Sequence, residues 1–271
     1  MRLGVSSYTF VWAVGVPGFP QPARPLTAEG LIAKAVELGV RVVQIADNLP
    51  LDRLTDDEIE RLAQHATRCG IELEIGTCGI EPANLQRHLA LAQRLRSPLV
   101  RTLIDTETSQ PAPDEAIAAL RTVLPAFAEA DVTLAIENHD RFPAATLAGI
   151  IERCDSRHVG ICLDTANSLG CGEDIQTVVR TLGQYVVNVH IKDFRVQRLP
   201  HKKGFVVEGC PAGQGLLDIP RLLADLRELG RGPNVILELW PPPEPTIEAS
   251  IAKEDDWTRE SIDYLRQYVS E

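Results

Sequence analysis

Residues 132–164 read Val132-Thr-Leu-Ala-Ile-Glu137, Asn138-His-Asp-Arg-Phe-Pro143, Ala144-Ala-Thr-Leu-Ala-Gly-Ile-Ile-Glu-Arg-Cys154, Asp155-Ser-Arg-His158 and Val159-Gly-Ile-Cys-Leu-Asp164. A short apolar run, a helical pattern and a second short apolar run follow one another, and each short run ends on a carboxylate. The same alternation extends in both directions along the chain. Strands are expected at Leu3–Tyr8, Val42–Ala46, Ile71–Gly76, Leu99–Ile104, Val132–Glu137, Val159–Asp164, Val186–Ile191 and Val235–Glu238. Helical patterns are expected at about Thr27–Leu38, Asp56–Arg68, Ala83–Leu95, Asp114–Ala130, Ala144–Cys154, Glu173–Leu182, Ile219–Leu229 and Ser250–Tyr268. Apolar residues three and four apart, such as Leu31, Ala35 and Leu38, carry the helical signal. Gly39, Gly70 and Gly230 each follow a helix and precede a strand, as helix stops do. Strict strand–helix alternation implies a parallel sheet, and eight units are the number that closes a (β/α)₈ TIM barrel. An open doubly wound sheet is the alternative, but Ser6-Ser7-Tyr8 is not the Gly-rich turn such a sheet carries after its first strand.

The 271 residues fit one barrel domain, 1–271, with little left over. Apolar residues make up 44% of the chain, enough for a substantial core. A formal charge of −11 argues against nucleic acid or an anionic membrane as partner, because phosphate binding needs clustered Lys and Arg. It leaves room for a small anionic substrate. The six cysteines form no CxxC pair and read as reduced thiols. No apolar run approaches the length of a membrane span and no cleavable leader is visible, so a soluble, cytoplasmic protein is expected. Two long loops, Thr9–Leu26 and Lys192–Leu217, would follow strands and lie on the C-terminal face, where barrel active sites sit.

Strands five to eight end on Glu137, Asp164, His190 and Glu238. A charge at the end of a buried strand costs several kcal/mol unless it is paired or bound to a metal. Four such groups on successive strands point into one mouth, with the small residues Ala135, Cys162 and Asn188 in the layer beneath. Three carboxylates and one imidazole suit Mn²⁺, Mg²⁺ or Co²⁺ better than structural zinc, and they leave one or two positions of an octahedral ion for substrate oxygens.

At these residues the chain resembles the xylose isomerase-like TIM barrels, a superfamily of sugar isomerases, ketose 3-epimerases and related lyases, with AP endonuclease family 2 as a nucleic-acid relative. The resemblance rests on Ile136-Glu137-Asn-His139, Leu163-Asp164-Thr-Ala-Asn167, Val189-His190-Ile-Lys-Asp193, Leu237-Glu238 and the Ala212-Gly-Gln-Gly215 loop. It implies Glu137, Asp164, His190 and Glu238 as ligands of one divalent ion, with Glu137 and Glu238 as catalytic acid and base on opposite faces of the substrate. Epimerase-like members place a His three residues after the strand-six aspartate, where this chain has Asn167, which bonds substrate but does not shuttle protons near neutrality. The endonuclease branch needs additional His and carboxylate ligands for a multi-zinc site, and six histidines in all, several on predicted helices (His65, His88), together with the charge of −11 argue against it. Oligomers are common in the family, and Trp240-Pro-Pro-Pro243 offers either an interface or a closure of the mouth.

The expected substrate-contacting set is Asn167, Lys192, Arg195, His139, Tyr8 and Trp12. Lys192 and Arg195 would hold a carboxylate or phosphate, or neutralise the carboxylates around them. Tyr8 and Trp12 would wall a sugar pocket or sit in the core; His139 and Asp140 would face substrate or cap a helix. Gln44, Asp47 and Asn48 would meet sugar hydroxyls or form a turn. Arg101 would brace Glu137 or clamp substrate. Asp193 would orient His190 or Lys192, or be a solvated loop residue. The leading expectation is a metal-dependent isomerase or epimerase of a small sugar or sugar-derived keto compound, acting through an enediolate that the ion stabilises. A decarboxylase of a sugar-derived 3-oxo acid shares that chemistry and stands second, mildly favoured by Asn167. A non-catalytic sugar-binding barrel stands third.

Overall fold

The computed structural model describes residues 1–269. Eight parallel strands, numbered along the chain, close on themselves: β1 (Leu3–Ser6), β2 (Val42–Ile45), β3 (Glu72–Cys78), β4 (Leu99–Leu103), β5 (Thr133–Glu137), β6 (Val159–Asp164), β7 (Val186–Ile191) and β10 (Asn234–Leu237). The last strand completes the ring between β7 and β1, with Ile236 opposite His190 and Val5 opposite Leu237. Runs such as Val42–Ile45 and Val159–Asp164 are buried along their whole length, as strands covered on both faces must be.

Outside the ring lie α2 (Ala28–Leu38), α3 (Asp56–Cys69), α4 (Pro82–Leu95), α5 (Pro113–Glu129), α6 (Ala144–Cys154), α7 (Ile175–Leu182), α8 (Ile219–Glu228) and α9 (Ile247–Leu265). Local chemistry sets their ends. Thr55 and Glu58 form a reciprocal capping box at the start of α3, and Gly39 and Gly70 end α2 and α3 in the left-handed region. The apolar stripe of α2, Leu31, Ile32 and Ala35, is fully buried against the barrel. Among the described residues no helix is long and apolar enough to cross a membrane.

Besides shifts of up to three residues at element ends, the structure departs from the sequence reading in three places. The first strand stops at Ser6 instead of Tyr8 because Ser6 Oγ accepts from Tyr8 N and Thr9 Oγ1 accepts from Ser6 N, which bends Ser7–Phe10 into a tight turn. Behind it, the loop expected over Thr9–Leu26 contains one short helix, α1 (Val11–Val14). The loop expected over Lys192–Leu217 contains an antiparallel hairpin, β8 (Phe194–Arg198) and β9 (Phe205–Gly209), whose register sets Val196 opposite Val207. This hairpin is mostly solvent-exposed, so it lacks the continuous apolar run by which the barrel strands are recognised. Inside the barrel the filling is divided. Leu99, Ala135 and Cys162 make a small apolar cluster under β4–β6, while Gln44, Glu74 and Asn188 make a buried polar cluster under β2, β3 and β7.

Candidate metal centre

Parallel register brings the strand ends to one level: Asp164 is the partner of His190, and Glu137 that of Cys162. Glu238 is the first residue beyond β10, and its N–H donates to Ile191 O at 3.0 Å. Glu137, Asp164, His190 and Glu238 are each at most 2% exposed. His190 Nδ1 lies 3.3 Å from Glu137 Oε2, 3.4 Å from Glu238 Oε1 and 4.0 Å from Asp164 Oδ2. The structure thus brings all four residues together.

Among the described residues three buried polar side-chain atoms have no hydrogen-bond partner: Asp164 Oδ2, His190 Nδ1 and Glu238 Oε1. An orphaned buried polar atom costs about 1–3 kcal/mol, and these three converge on one point. Asp164 Oδ2 does lie 2.9 Å from Lys192 Nζ, but the pair is out of line for a hydrogen bond. Oxygen, oxygen and nitrogen atoms that face each other without protein partners fit a hard or borderline divalent ion. Cys162 Sγ also comes near Glu137 and His190. Burial pushes this thiol up to about 11, so it stays protonated and donates to Asn188 Oδ1 at 3.5 Å; a thiol in that state is a poor ligand.

Around this centre the charges are compensated by fixed partners. Arg101, 4% exposed, donates through Nε to Glu137 and sits 3.0 Å from Asp47 through Nη1. Asn167 Nδ2 donates to the other Glu137 oxygen at 2.8 Å, and Asn167 N donates to Asp164 Oδ1 at 2.8 Å. Burial by itself would raise the Glu137 carboxyl, but Arg101 and then His190 outweigh it and hold it well below the usual range. Burial likewise opposes the charge on Lys192, and Asp164 and Glu238 outweigh it and raise the ammonium well above its ordinary value. Lys192 Nζ is 2.9 Å from both Asp164 Oδ2 and Glu238 Oε2.

A cavity of about 500 Å³ is lined among others by Tyr8, His139, Asn167, Lys192, Val207 and Trp240, of which Asn167 and Lys192 contact the four residues directly. A second one, of about 260 Å³, shares His139 and Asp140 with it and reaches Glu137 from the side of Asp105 and Arg141. Four of the six expected substrate-contacting residues therefore line the mouth. Arg195 does not: it lies on the outer face of β8 and donates to the backbone oxygen and side chain of Gln214. Trp12 does not either, because its indole N–H donates to Pro241 O at 2.9 Å and its ring stacks edge-on against Phe19, leaving 5% exposure. Val11 and Trp240 take the wall positions instead. Asp193 orients neither His190 nor Lys192. Its carboxylate accepts from Phe194, Gly213, Gly215 and Leu217 N–H groups and so shapes the Gly-x-Gly loop; a Cβ on Gly215 would come within 2.1 Å of Asp193 Oδ1. Gln44 lies below the centre, where its Oε1 is 2.7 Å from His190 Nε2. Sequence reasoning missed Glu74 beneath it, although a Glu inside Leu73-Glu-Ile75 of a buried strand is a signal in its own right.

Comparison with known proteins agrees with this fold. A model of the family described as xylose isomerase-like TIM barrel matches residues 32–268. The chain is 35% identical over 265 residues to 3-oxo-isoapionate decarboxylase of Pectobacterium atrosepticum, covering 98% of this chain and 95% of that protein. Among solved structures, D-psicose 3-epimerase with D-tagatose from Clostridium cellulolyticum H10 superposes with a TM-score of 0.77 at 17% identity, covering 99% of each chain. The IOLI protein with a bound zinc atom superposes with a TM-score of 0.68 at 18% identity over 100% of both chains. At these identities the two structures speak for the fold alone.

Proposed function

The chain belongs to the xylose isomerase-like TIM barrel family, and from that premise we propose that it is a divalent-metal-dependent lyase that removes carbon dioxide from a small sugar-derived 3-oxo acid. The isomerase or epimerase activity that leads the sequence reading takes second place. An epimerase needs two carboxylates free to take and return a proton on opposite faces of the substrate. Here Glu137 has both oxygens committed to donors, Arg101 on one and Asn167 on the other. This commitment is the observation that carries the reading. A decarboxylase needs a cation for the carboxylate and one proton for the product carbon, and Lys192 on the cavity wall beside Glu238 suits both. The relative that matches nearly the whole chain is named for a decarboxylation.

In this reading Glu137, Asp164, His190 and Glu238 would hold the ion, which when bound supplies a Lewis acid for the oxo group. Lys192 pairs with the substrate carboxylate. As the carbon–carbon bond to that carboxylate breaks, its electron pair moves toward the oxo oxygen and carbon dioxide leaves. One proton must then reach the carbon that lost the carboxylate, and the Lys192 ammonium, held by Glu238, is placed to give it. Arg101 and Asn167 keep Glu137 deprotonated and still, while Tyr8 and His139 present polar groups to substrate hydroxyls.

The test is an assay of metal-loaded protein on a panel of 3-oxo sugar acids and neutral ketoses, following carbon dioxide and sugar isomers together. Carbon dioxide equal to substrate consumed is expected from the acids. Isomer formation from neutral ketoses without carbon dioxide would overturn the proposal in favour of the epimerase. Lys192→Gln should lower kcat/KM on the acid by about tenfold to a hundredfold, the worth of one hydrogen bond to a charged group.

A further inference from the structure

We propose that Gln44 and Glu74 are positioning residues that select Nδ1 of His190 as the nitrogen facing the metal. The inference rests on the metal-binding part of the reading above and not on the reaction. His190 has two ring nitrogens with different neighbours. Nδ1 faces the carboxylates of Glu137, Glu238 and Asp164 and has no hydrogen-bond partner. Nε2 lies 2.7 Å from Gln44 Oε1. An amide oxygen only accepts, so Nε2 must carry a proton, and Nδ1 is then the nitrogen whose lone pair can serve an ion.

That outcome depends on which end of the Gln44 amide meets the imidazole, and Glu74 sets it. Gln44 and Glu74 are register partners on β2 and β3, and Asn188 and Asn234 are register partners on β7 and β10. The Glu74 carboxylate accepts from Gln44 Nε2 at 3.0 Å, Asn188 Nδ2 at 2.8 Å and Asn234 Nδ2 at 2.8 Å. Gln44 Nε2 also donates to Asn188 Oδ1 at 3.2 Å. Turning the Gln44 amide over would set its oxygen against a carboxylate oxygen and a carbonyl oxygen, and would aim its NH₂ at His190. Gln44, Glu74, Asn188 and His190 are at most 2% exposed, so bulk solvent does not reach the cluster to relieve that mismatch. A buried carboxylate that meets amides and no cation contributes little as a core filler, since apolar residues fill such layers at lower cost. What a carboxylate offers here is acceptance at both oxygens, which an amide in its place cannot match.

The experiment is calorimetric titration of metal-free protein with Mn²⁺, for wild type, Glu74→Gln and the double variant Gln44→Glu/Glu74→Gln. The single change lets the Gln44 amide turn and should weaken Mn²⁺ binding by about tenfold to a hundredfold, the usual range for partners that orient a metal-binding His. The double variant exchanges acceptor and donor, puts a carboxylate acceptor at Nε2 in place of the amide oxygen and should return the affinity to within a few-fold of wild type. Unchanged affinity in Glu74→Gln, or no recovery in the double variant, overturns the proposal. Should the variants fail to fold, ¹⁵N-histidine NMR of the Zn²⁺-loaded wild type decides it: a proton on Nε2 and none on Nδ1 is expected, and a proton on Nδ1 overturns it. If wild type takes up neither ion, the metal reading itself fails; if wild type binds and the variants bind equally well, only this inference does.

Discussion

Arg101 reaches two carboxylates at once, donating through Nε to Glu137 and lying 3.0 Å from Asp47 through Nη1. Asp47 in turn accepts from the Tyr8 hydroxyl at 3.1 Å, so the wall of the mouth and its charged floor share one connected set of side chains. Removing one partner of a buried pair leaves the other charge uncompensated, which costs about 3–5 kcal/mol. Arg101→Met should therefore lower the urea unfolding free energy by about that amount, and a loss under 1 kcal/mol would mean that Glu137 finds another partner. Strand parity made Arg101 legible, because the inward direction follows from Leu99 two residues earlier on the same strand. The same parity placed Glu137, Asp164 and His190. It does not extend into loops and turns, where the sequence left Trp12 between pocket wall and core and the structure puts it in the core. Arg195 shows a related limit, since its strand belongs to a hairpin outside the barrel.

At the scale of elements, the short helix α1 is tied to α9 by one buried side chain. Glu254 on α9 is fully buried and accepts from Trp12 N at 2.7 Å and Ala13 N at 3.5 Å. Burial pushes its carboxyl up to about 8, with the two backbone donors opposing only part of the rise. A carboxyl raised in the folded state binds its proton more tightly there than in the unfolded chain. Its contribution to stability is complete below the unfolded value near 4.5 and is lost as pH rises through 8. Each unit crossed costs about 1.4 kcal/mol. Glu254→Gln keeps an acceptor and removes the titration, so thermal melts should favour the variant over wild type at pH 9 by more than at pH 5. Equal differences at both pH values would refute the assignment. In the sequence Glu254 is one acidic residue among several on an amphipathic helix, and its burial follows only from where the Thr9–Leu26 segment folds back. The barrel strands and outer helices were legible within a few residues at each end because their apolar periodicity is set by burial on known faces. The β8–β9 hairpin was not, because seven of its ten strand residues are exposed to water.

Over the whole molecule, three carboxylates and their partners are held at one end of a closed ring, within a chain of formal charge −11. A ligand that binds only the folded state stabilises it in proportion to the logarithm of its concentration over Kd, about 2.7 kcal/mol at a hundredfold excess. Mn²⁺ at that excess should raise the melting temperature by several degrees and EDTA should reverse it, while a melting curve blind to both would count against the centre. What the sequence by itself determined is the ring and its four polar strand ends. Alternating apolar runs leave few ways to bury a parallel sheet, and a charge closing a buried strand has to meet a partner. Only the tertiary structure decided what surrounds those four. The commitment of Glu137 to Arg101 and Asn167, the Lys192 bridge between Asp164 and Glu238, and the Gln44–Glu74 support under His190 join residues 28 to 146 positions apart. Hydrogen-bond partners at that separation are chosen by strand register and barrel closure, which no local pattern in the chain encodes.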